Sequence, residues 1–145
     1  MAEPFFDHER LDVYRLSIEC VAESYRSAQM LSGTQRHIRD QWLRAAQSIA
    51  LNIAEGNGKR SPKEKGRYFE IARGSAMECA AIHDILMAIV AIQADSLLHG
   101  KTQLKRIVEM LTKLIRRMRS HGRMSNADQD GRRGPDAGKS HTATD

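Results

Sequence analysis

The chain has 145 residues, of which 41% are hydrophobic and 28% charged, and its formal net charge is +5. This length fits one domain with a single core and excludes two independent cores. The longest apolar run, residues 85–92, is far shorter than the 18 or more residues that a membrane helix needs. Helix-forming residues dominate and runs of β-branched residues are absent, which predicts an all-α protein.

The first of four amphipathic segments spans residues 7–31. Asp7 is a candidate N-cap, and Gly33 follows the end of the segment. Apolar side chains recur every three or four residues, the spacing of a helix face packed in a bundle. The predicted buried face consists of Leu11, Tyr14, Ile18, Val21, Tyr25 and Ala28.

The second segment spans residues 34–55 and has a similar apolar face. Gly56 is predicted to end this helix in the left-handed conformation. Small residues flank the face and allow a neighbouring helix to approach closely. The face consists of Ile38, Trp42, Ala45, Ile49 and Ile53, and the flanking residues are Ala46, Ala50 and Ala54.

The third segment, residues 62–94, has the clearest start signal. Ser61 is a serine N-cap, Pro62 occupies the first helical position, and Glu64 completes a capping box. Two internal glycines lower its helix propensity, a cost that close packing against a neighbour can offset. Its predicted core face consists of Tyr68, Ile71, Ala72, Cys79, Ile82, Leu86 and Ile89.

A turn is predicted at residues 97–100, and the fourth helix at residues 101–120. Short connections make successive helices antiparallel neighbours. Residues 1–120 are therefore predicted to form an antiparallel up-down-up-down four-helix bundle. Residues 121–145 are rich in glycine and polar residues and are predicted to be a disordered tail. The fourth helix should bury Leu104, Ile107, Val108, Leu111, Leu114, Ile115 and Met118.

No catalytic, metal or cofactor site is predicted, so the chain is not expected to be an enzyme. The run 56–61 looks like a phosphate loop but lacks the first glycine and the Ser or Thr after lysine, and it follows a helix. His83 is expected at the surface or partly buried. Cys79 is expected in the core, and Cys20 partly exposed. These two cysteines and a polar N-terminus predict reduced thiols and a cytoplasmic location.

Polar residues next to the apolar face of the second segment predict a polar cluster. Glu55 lies at a helix C-terminus, where an acidic group is unfavourable for the helix dipole, so it should have a partner. The cluster could be a buried network that fixes helix register, or it could line a subunit interface. Its predicted members are Arg44, Asn52, Glu55, Arg73 and Glu78.

Basic residues are concentrated in two stretches, residues 59–67 and residues 101–119. Residues 101–119 hold seven basic residues and one acidic residue, whereas residues 7–31 are net acidic. A one-sided basic helix is typical of a surface that contacts nucleic-acid phosphates. It is also compatible with a solvated face or with pairing to an acidic neighbour. The predicted contact residues are Lys101, Lys105, Arg106, Lys113, Arg116, Arg117, Arg119, Lys59, Arg60 and Lys63.

Two runs carry a family resemblance. DQWLRAAQSIALNIAEG at 40–56 and RYFEIARGSAME at 67–78 resemble the "four helix bundle protein" family, which includes the proteins encoded in 23S rRNA intervening sequences. The opening at 6–14 is also similar, so the resemblance covers residues 5–118. It implies an up-down-up-down bundle, often a homopentameric ring, with no known catalytic residues. The family's recurrent polar positions correspond to Arg44, Asn52, Glu55, Arg73, Ser75 and Glu78, so the resemblance adds Ser75 to the predicted polar cluster.

The resemblance extends to the accessory variability proteins of diversity-generating retroelements. Those proteins form basic pentameric barrels that bind nucleic acid and a reverse transcriptase. The resemblance therefore implies homo-oligomers, an RNA or DNA ligand and a protein partner such as a reverse transcriptase, with no membrane. A protein–protein adaptor, whose basic side meets an acidic partner or its own neighbour, is the alternative.

Overall fold

The structure is a computed structural model that describes residues 3–131, apart from the side chains of residue 125 and residues 127–130. It contains four helices: α1 (Asp12–Ala28), α2 (Arg36–Asn57), α3 (Pro62–Ala88) and α4 (Ala94–Asp130). Short 3-10 turns at Asp7–Arg10 and Gly33–Gln35 precede α1 and α2. Within the described range there is no strand, and no helix is long and apolar enough to cross a membrane.

Each helix packs against the next, and α1 also packs against α4, which closes the bundle. Side-chain pairs show that neighbouring helices are antiparallel. Arg119 of α4 reaches Glu70 near the start of α3, whereas Lys101 reaches Asp84 near its end. The predicted all-α antiparallel four-helix fold is therefore confirmed.

The core lies along the bundle axis, and α2 and α4 contribute to it as predicted. Trp42, Ile49 and Ile53 of α2 are buried, as are Leu104 and Leu111 of α4. Cys79 is also buried in this core, as predicted. Close-packed interiors of this kind tolerate neither gaps nor added volume.

The predicted buried face of α1 is wrong at two of its six residues, since Ala28 is buried and Leu11, Tyr14 and Val21 pack against the core. Ile18 and Tyr25 are 44% and 45% exposed, whereas Ser17 and Ser24 are buried. The serines can be buried because each hydroxyl donates to a carbonyl of its own helix, at 2.6 and 2.7 Å. Small side chains there let the neighbouring helices approach, and Cys20, expected to be partly exposed, is buried.

The start of α3 is as predicted, but its end is not. The Ser61 hydroxyl accepts from the Glu64 amide at 3.1 Å, so serine caps the helix. The helix stops at Ala88 rather than residue 94, because Val90 adopts a left-handed φ of 53°.

On the outer side of α3, Ile71 and Ile89 are about half exposed, while Phe69 and Ala76 occupy core positions. Apolar residues lie on both sides of α3, so their spacing alone does not show which face of the helix is buried.

Residues 97–100, predicted as a turn, belong to α4, which begins at Ala94. Leu97 is buried in the core, and this burial favours continuing the helix through Gly100. At its other end α4 runs to Asp130, ten residues beyond the predicted end at Ser120. Helix propagation adds one hydrogen bond per residue, so a formed helix can continue without burying side chains. The rest of the predicted tail, 132–145, lies outside the described residues.

Two predicted end signals are wrong. Gly56 lies inside α2 and is not left-handed; a β carbon there would lie 2.8 Å from the β carbon of Tyr68, so this glycine allows α3 to approach. Asp7 does not cap α1, since α1 begins at Asp12 and the Asp7 carboxylate accepts from Asn57. The left-handed glycine in this part of the chain is Gly33.

Candidate nucleic-acid interface

The basic residues of α4 lie on the side opposite its core contacts. At about 100° per residue, the buried side chains of α4 cover one half of the helix and the charged side chains cover the other. We call the following group the basic face. It consists of Lys101, Lys105, Arg106, Lys113, Arg116, Arg117 and Arg119, together with Lys59, Arg60 and Lys63 of the α2–α3 turn.

Three of the α4 cations are paired with acids. Lys101 Nζ lies 2.6 Å from Asp84 Oδ1. Arg119 Nη2 lies 2.6 Å from Glu70 Oε1. Lys105 Nζ lies 4.0 Å from Glu109 Oε1, a contact at the limit of an ion pair. These pairs neutralise part of the charge and orient Lys101 and Arg119 toward α3.

The other four α4 cations of the basic face have no acid within ion-pair distance in the described part of the chain: Arg106, Lys113, Arg116 and Arg117. All four are exposed. Their charges are therefore available to a phosphate without first breaking an internal ion pair.

The α2–α3 turn presents its cations differently. Lys59 is half-buried, with its ammonium 5.1 Å from the centre of the Tyr68 ring. Lys65 Nζ donates to the Asn57 carbonyl at 2.8 Å, which supports the turn. Arg60 and Lys63 are exposed and carry the free charge of the turn.

A groove of about 940 Å³ joins this turn to the C-terminal half of α4. It lies between the first turns of α3 and the part of α4 from Ile115 to Asn126, where Gly66 faces Met118. Lys63, Arg67, Arg119 and Arg123 line it, as do Glu64 and Glu70. Arg67 and Arg123 were not among the predicted contact residues, because nothing in the sequence places them beside one another.

The groove divides the predicted contact residues into two groups. Lys63 and Arg119 share it, and Arg116 precedes Arg119 by one helical turn. Lys101 lies 18 residues before Arg119, or roughly 27 Å along the helix axis. A single ligand must therefore extend along α4 to contact both ends.

The predicted polar cluster is only partly connected. Ser48 Oγ lies 2.8 Å from Ser75 Oγ, and the Asn52 amide donates to the Ser48 carbonyl at 2.8 Å and to its hydroxyl at 3.0 Å. Ser48 was missed, although it lies four residues before Asn52 on the same helix face. This part links α2 to α3 through half-buried side chains.

The other members lie around that link. Gln41 donates to Glu78 at 3.2 Å, and Arg73 donates to Thr112 of α4 at 3.3 Å. Arg44 lines a cleft of about 540 Å³ beside Ser75 and Glu78. Glu55 is exposed and makes no side-chain hydrogen bond with residues 3–131. The six residues thus form separate contacts on a half-exposed surface rather than one buried network.

His83, expected near the surface, is 3% exposed. Its ring meets Trp42 edge to face at 5.4 Å between centroids. Burial, with Lys101 nearby as a lesser cause, lowers the pKa of His83 from 6.5 to about 4. The imidazole is therefore neutral at physiological pH, and its role is in packing.

Burial also raises the pKa of the Cys20 thiol to about 11, although Ser24 opposes the shift with a hydrogen bond. The pKa of Cys79 is raised further by burial and by the nearby Cys20 and Glu78. Both thiols are unreactive in the folded chain. Among the described residues, no three His, Cys, Asp or Glu side chains gather where they could hold a metal ion.

The helix order and the packing place the chain in the class of closed antiparallel four-helix bundles with a basic outer face. A family model described as "23S rRNA-intervening sequence protein" matches residues 9–113. The chain belongs to that family.

A solved structure supports the fold assignment. It is a protein of unknown function from the S23 ribosomal protein family of Bacteroides thetaiotaomicron, 22% identical, with a TM-score of 0.67. The similarity covers 71% of this chain and 97% of the other. At this identity the likeness concerns the fold. No match is found among curated proteins.

Proposed function

We propose that this chain is a non-enzymatic, self-assembling helical-bundle protein whose basic face binds the phosphate backbone of structured RNA or DNA. The observation that carries the proposal is a group of four exposed α4 cations of the basic face that have no acid within ion-pair distance among the described side chains: Arg106, Lys113, Arg116 and Arg117. Phosphate contacts by such side chains release counterions, which makes binding favourable and strongly salt-dependent.

The groove between α3 and α4 supports the same proposal. Arg60 and Lys63 of the turn extend the basic face past the first turn of α3. The positive end of the α3 dipole points in the same direction. Glu64 and Glu70 also line the groove, so we expect phosphates along the outer edge of α4 rather than deep in the groove.

Fluorescence anisotropy of a labelled structured RNA and a labelled duplex DNA, at two salt concentrations, tests the proposal. The triple variant Lys113→Gln, Arg116→Gln, Arg117→Gln should lose binding while the bundle stays folded. With about 0.7–0.9 counterions released per phosphate contact, the slope of log affinity against log salt should fall by about 2–3.

The matched control is Arg15→Gln, Arg26→Gln, Arg39→Gln, which removes the same charge from α1 and α2. Those arginines form exposed ion pairs, and such pairs contribute little to stability. The control should bind like the wild type. Equal loss in both variants would indicate a nonspecific charge effect. No binding by the wild type even at low salt would favour the adaptor hypothesis.

We propose that self-assembly uses the outer face of α3. Gly74, Ala81 and Ala88 recur there every seven residues and are exposed, and a β carbon on Gly74 would contact nothing within 4 Å. Small residues at this spacing let two helices approach closely. Ile71 and Ile85 flank them and are about half exposed. Exposed apolar and small residues on one helix face are often covered by another molecule, so a second copy is the proposed cover.

Light scattering after gel filtration tests the assembly. Ala81→Glu should reduce the oligomer, expected from the family resemblance to be a pentamer, to monomers. Ala22→Glu, on the exposed side of α1, should leave the oligomer intact. A monomeric wild type would contradict self-assembly, and an Ala81→Glu variant that stays oligomeric would exclude this face of α3.

A further inference from the structure

Two adjacent phenylalanines before α1 are exposed to water. Phe5 is 90% exposed and Phe6 is 66% exposed. Aromatic side chains gain more from burial than most others, so two neighbouring exposed rings indicate a surface that another molecule covers. The fold places them at the end of the bundle that carries the α2–α3 turn.

The Phe6 ring is held in position by a short column of rings. Its plane is parallel to the His8 imidazole within 9°, with centroids 5.8 Å apart. Tyr14 meets the His8 ring edge to face at 4.7 Å. The Phe5 amide N–H donates to Glu9 Oε2 at 2.8 Å and fixes the backbone here. The Phe6 ring therefore lies against His8, and its exposed surface can be covered by a flat ligand.

This aromatic segment is attached to the basic turn. The Asn57 amide donates to the Asp7 carboxylate at 3.0 Å. Lys59 follows Asn57 by two residues, so the chain geometry keeps Phe6 and Lys59 within about 20 Å of each other. The sequence separates these residues by more than 50 positions, and only the fold reveals that exposed rings adjoin the cations.

The acidic side chains of this segment are already engaged. Asp7 accepts from Asn57, and Glu9 accepts from the Phe5 amide. Their carboxylates are thereby turned to internal contacts. Arg10, which ends the 3-10 turn, is exposed and adds a cation on the same segment.

Resting on the proposed function, we propose that Phe5 and Phe6 stack on unpaired bases of the nucleic acid whose phosphates the basic face contacts. Every base has a flat π face, so stacking on aromatic rings tolerates any sequence. Bases inside a uniform duplex are covered by their neighbours and cannot reach the rings. The ligand class is therefore a paired stem with adjoining unpaired nucleotides, as in a loop, a bulge or a single-stranded flank.

The test compares two labelled RNAs with the same stem, one closed by a loop of unpaired uridines and one a blunt duplex. Wild-type protein should bind the stem-loop more tightly. Phe5→Ala with Phe6→Ala should weaken stem-loop binding by about tenfold or more and leave duplex binding unchanged. Because both rings are exposed, thermal melting should show an unchanged fold.

A second variant separates stacking from simple apolar contact. Phe5→Leu with Phe6→Leu keeps apolar side chains but removes the π faces, so it should behave like the alanine pair. If the leucine variant binds the stem-loop as tightly as the wild type, stacking would be overturned and an apolar protein partner would be favoured. Equal effects on both RNAs, or no effect on either, would overturn the inference while the proposed function stands. No wild-type binding to either RNA would overturn both.

Discussion

A β carbon on Gly100 would lie 2.7 Å from Cε1 of His83, so the imidazole of α3 packs directly on the backbone of α4. The same ring meets Trp42 of α2 edge to face. His83 therefore fixes the relative positions of three helices. The ion pairs that α4 makes with Asp84 and Glu70 depend on this register.

Replacing Gly100 with alanine should destabilise the bundle. The added methyl group must push away a buried ring, and overpacking of this kind costs about 1–3 kcal/mol. Alanine also gains about 1 kcal/mol in helix propensity, so the net loss should be smaller than the packing cost alone. Urea unfolding measures the difference in the free energy of unfolding.

The control for this substitution is Gly122→Ala, on the same helix. A β carbon there meets nothing within 4 Å. Only the propensity gain remains, so the variant should be as stable as the wild type or more stable, by up to about 1 kcal/mol. If both alanine variants are stabilised equally, the close approach of Gly100 to His83 does not affect the free energy of unfolding.

Acid should destabilise the bundle through His83. Its pKa is about 4 in the folded chain and 6.5 when exposed, so between these values the unfolded chain binds a proton that the folded chain does not. The free energy of unfolding should therefore fall as pH drops from about 6.5 toward 4. The full effect is about 3 kcal/mol, an upper figure for one buried group.

A non-titrating variant isolates this effect from the other histidines and the carboxylates. His83→Leu should show a shallower dependence of stability on pH between 4 and 6.5 than the wild type. Both proteins are compared by urea unfolding across that range. Parallel curves would mean that His83 is protonated without cost, and that the ring is not held in an apolar site.

Val90 is a site where a substitution should stabilise the protein. Its φ of 53° lies in the left-handed region, which costs a side-chain-bearing residue about 1–2 kcal/mol. The Ala91 amide donates to the Leu86 carbonyl at 3.1 Å, so the backbone forms the helix-ending turn that usually contains glycine. Val90 is 85% exposed and loses little packing when replaced.

Val90→Gly should therefore raise the free energy of unfolding by about 1 kcal/mol, measured by urea or thermal unfolding. Gln93→Gly is the control, because Gln93 is exposed and its φ is not in the left-handed region. There the added chain entropy of glycine should give no gain or a small loss. A stabilised control would mean that the effect at Val90 is not relief of strain.

The two cysteines should react only when the chain unfolds. Burial raises the pKa of Cys20 to about 11, and that of Cys79 further, so the thiolate is scarce at pH 8. Labelling with a disulfide reagent should be slow in buffer and fast in denaturant. An exposed cysteine made by Ala22→Cys should label rapidly in the folded protein. Rapid labelling of the wild type would show that α1 separates readily from α2 and α4.

The helix ends show what the sequence could predict. Ser61, Pro62 and Glu64 form a local signal, and α3 begins there. The end of α3 could not be predicted, because valine is not a helix-stop residue and nothing in the local sequence favours φ > 0 at position 90. Similarly, Gly100 resembles a helix-breaking residue in the sequence. In the structure it is helical, and the His83 ring of α3 packs against it.

The candidate interface also has features that the sequence predicts and features that only the folded structure shows. The basic side of α4 follows from helical periodicity, so its residues could be named from spacing alone. Which of them are paired depends on the register between α3 and α4, which long-range packing sets. The position of Phe6 at the end of the bundle that carries the α2–α3 turn likewise depends on the Asp7–Asn57 hydrogen bond, which has no signature in the sequence.

The last buried residue of α4 among those described is Ile115, although the helix continues to Asp130, roughly 22 Å further. Substitutions in this overhang from 119 to 124 would alter the electrostatic field at the tip of the molecule without a folding penalty. The part of α4 up to Met118 packs against the core, whereas the overhang beyond it is less constrained. Relatives with this architecture can therefore diverge in ligand preference while retaining the same scaffold.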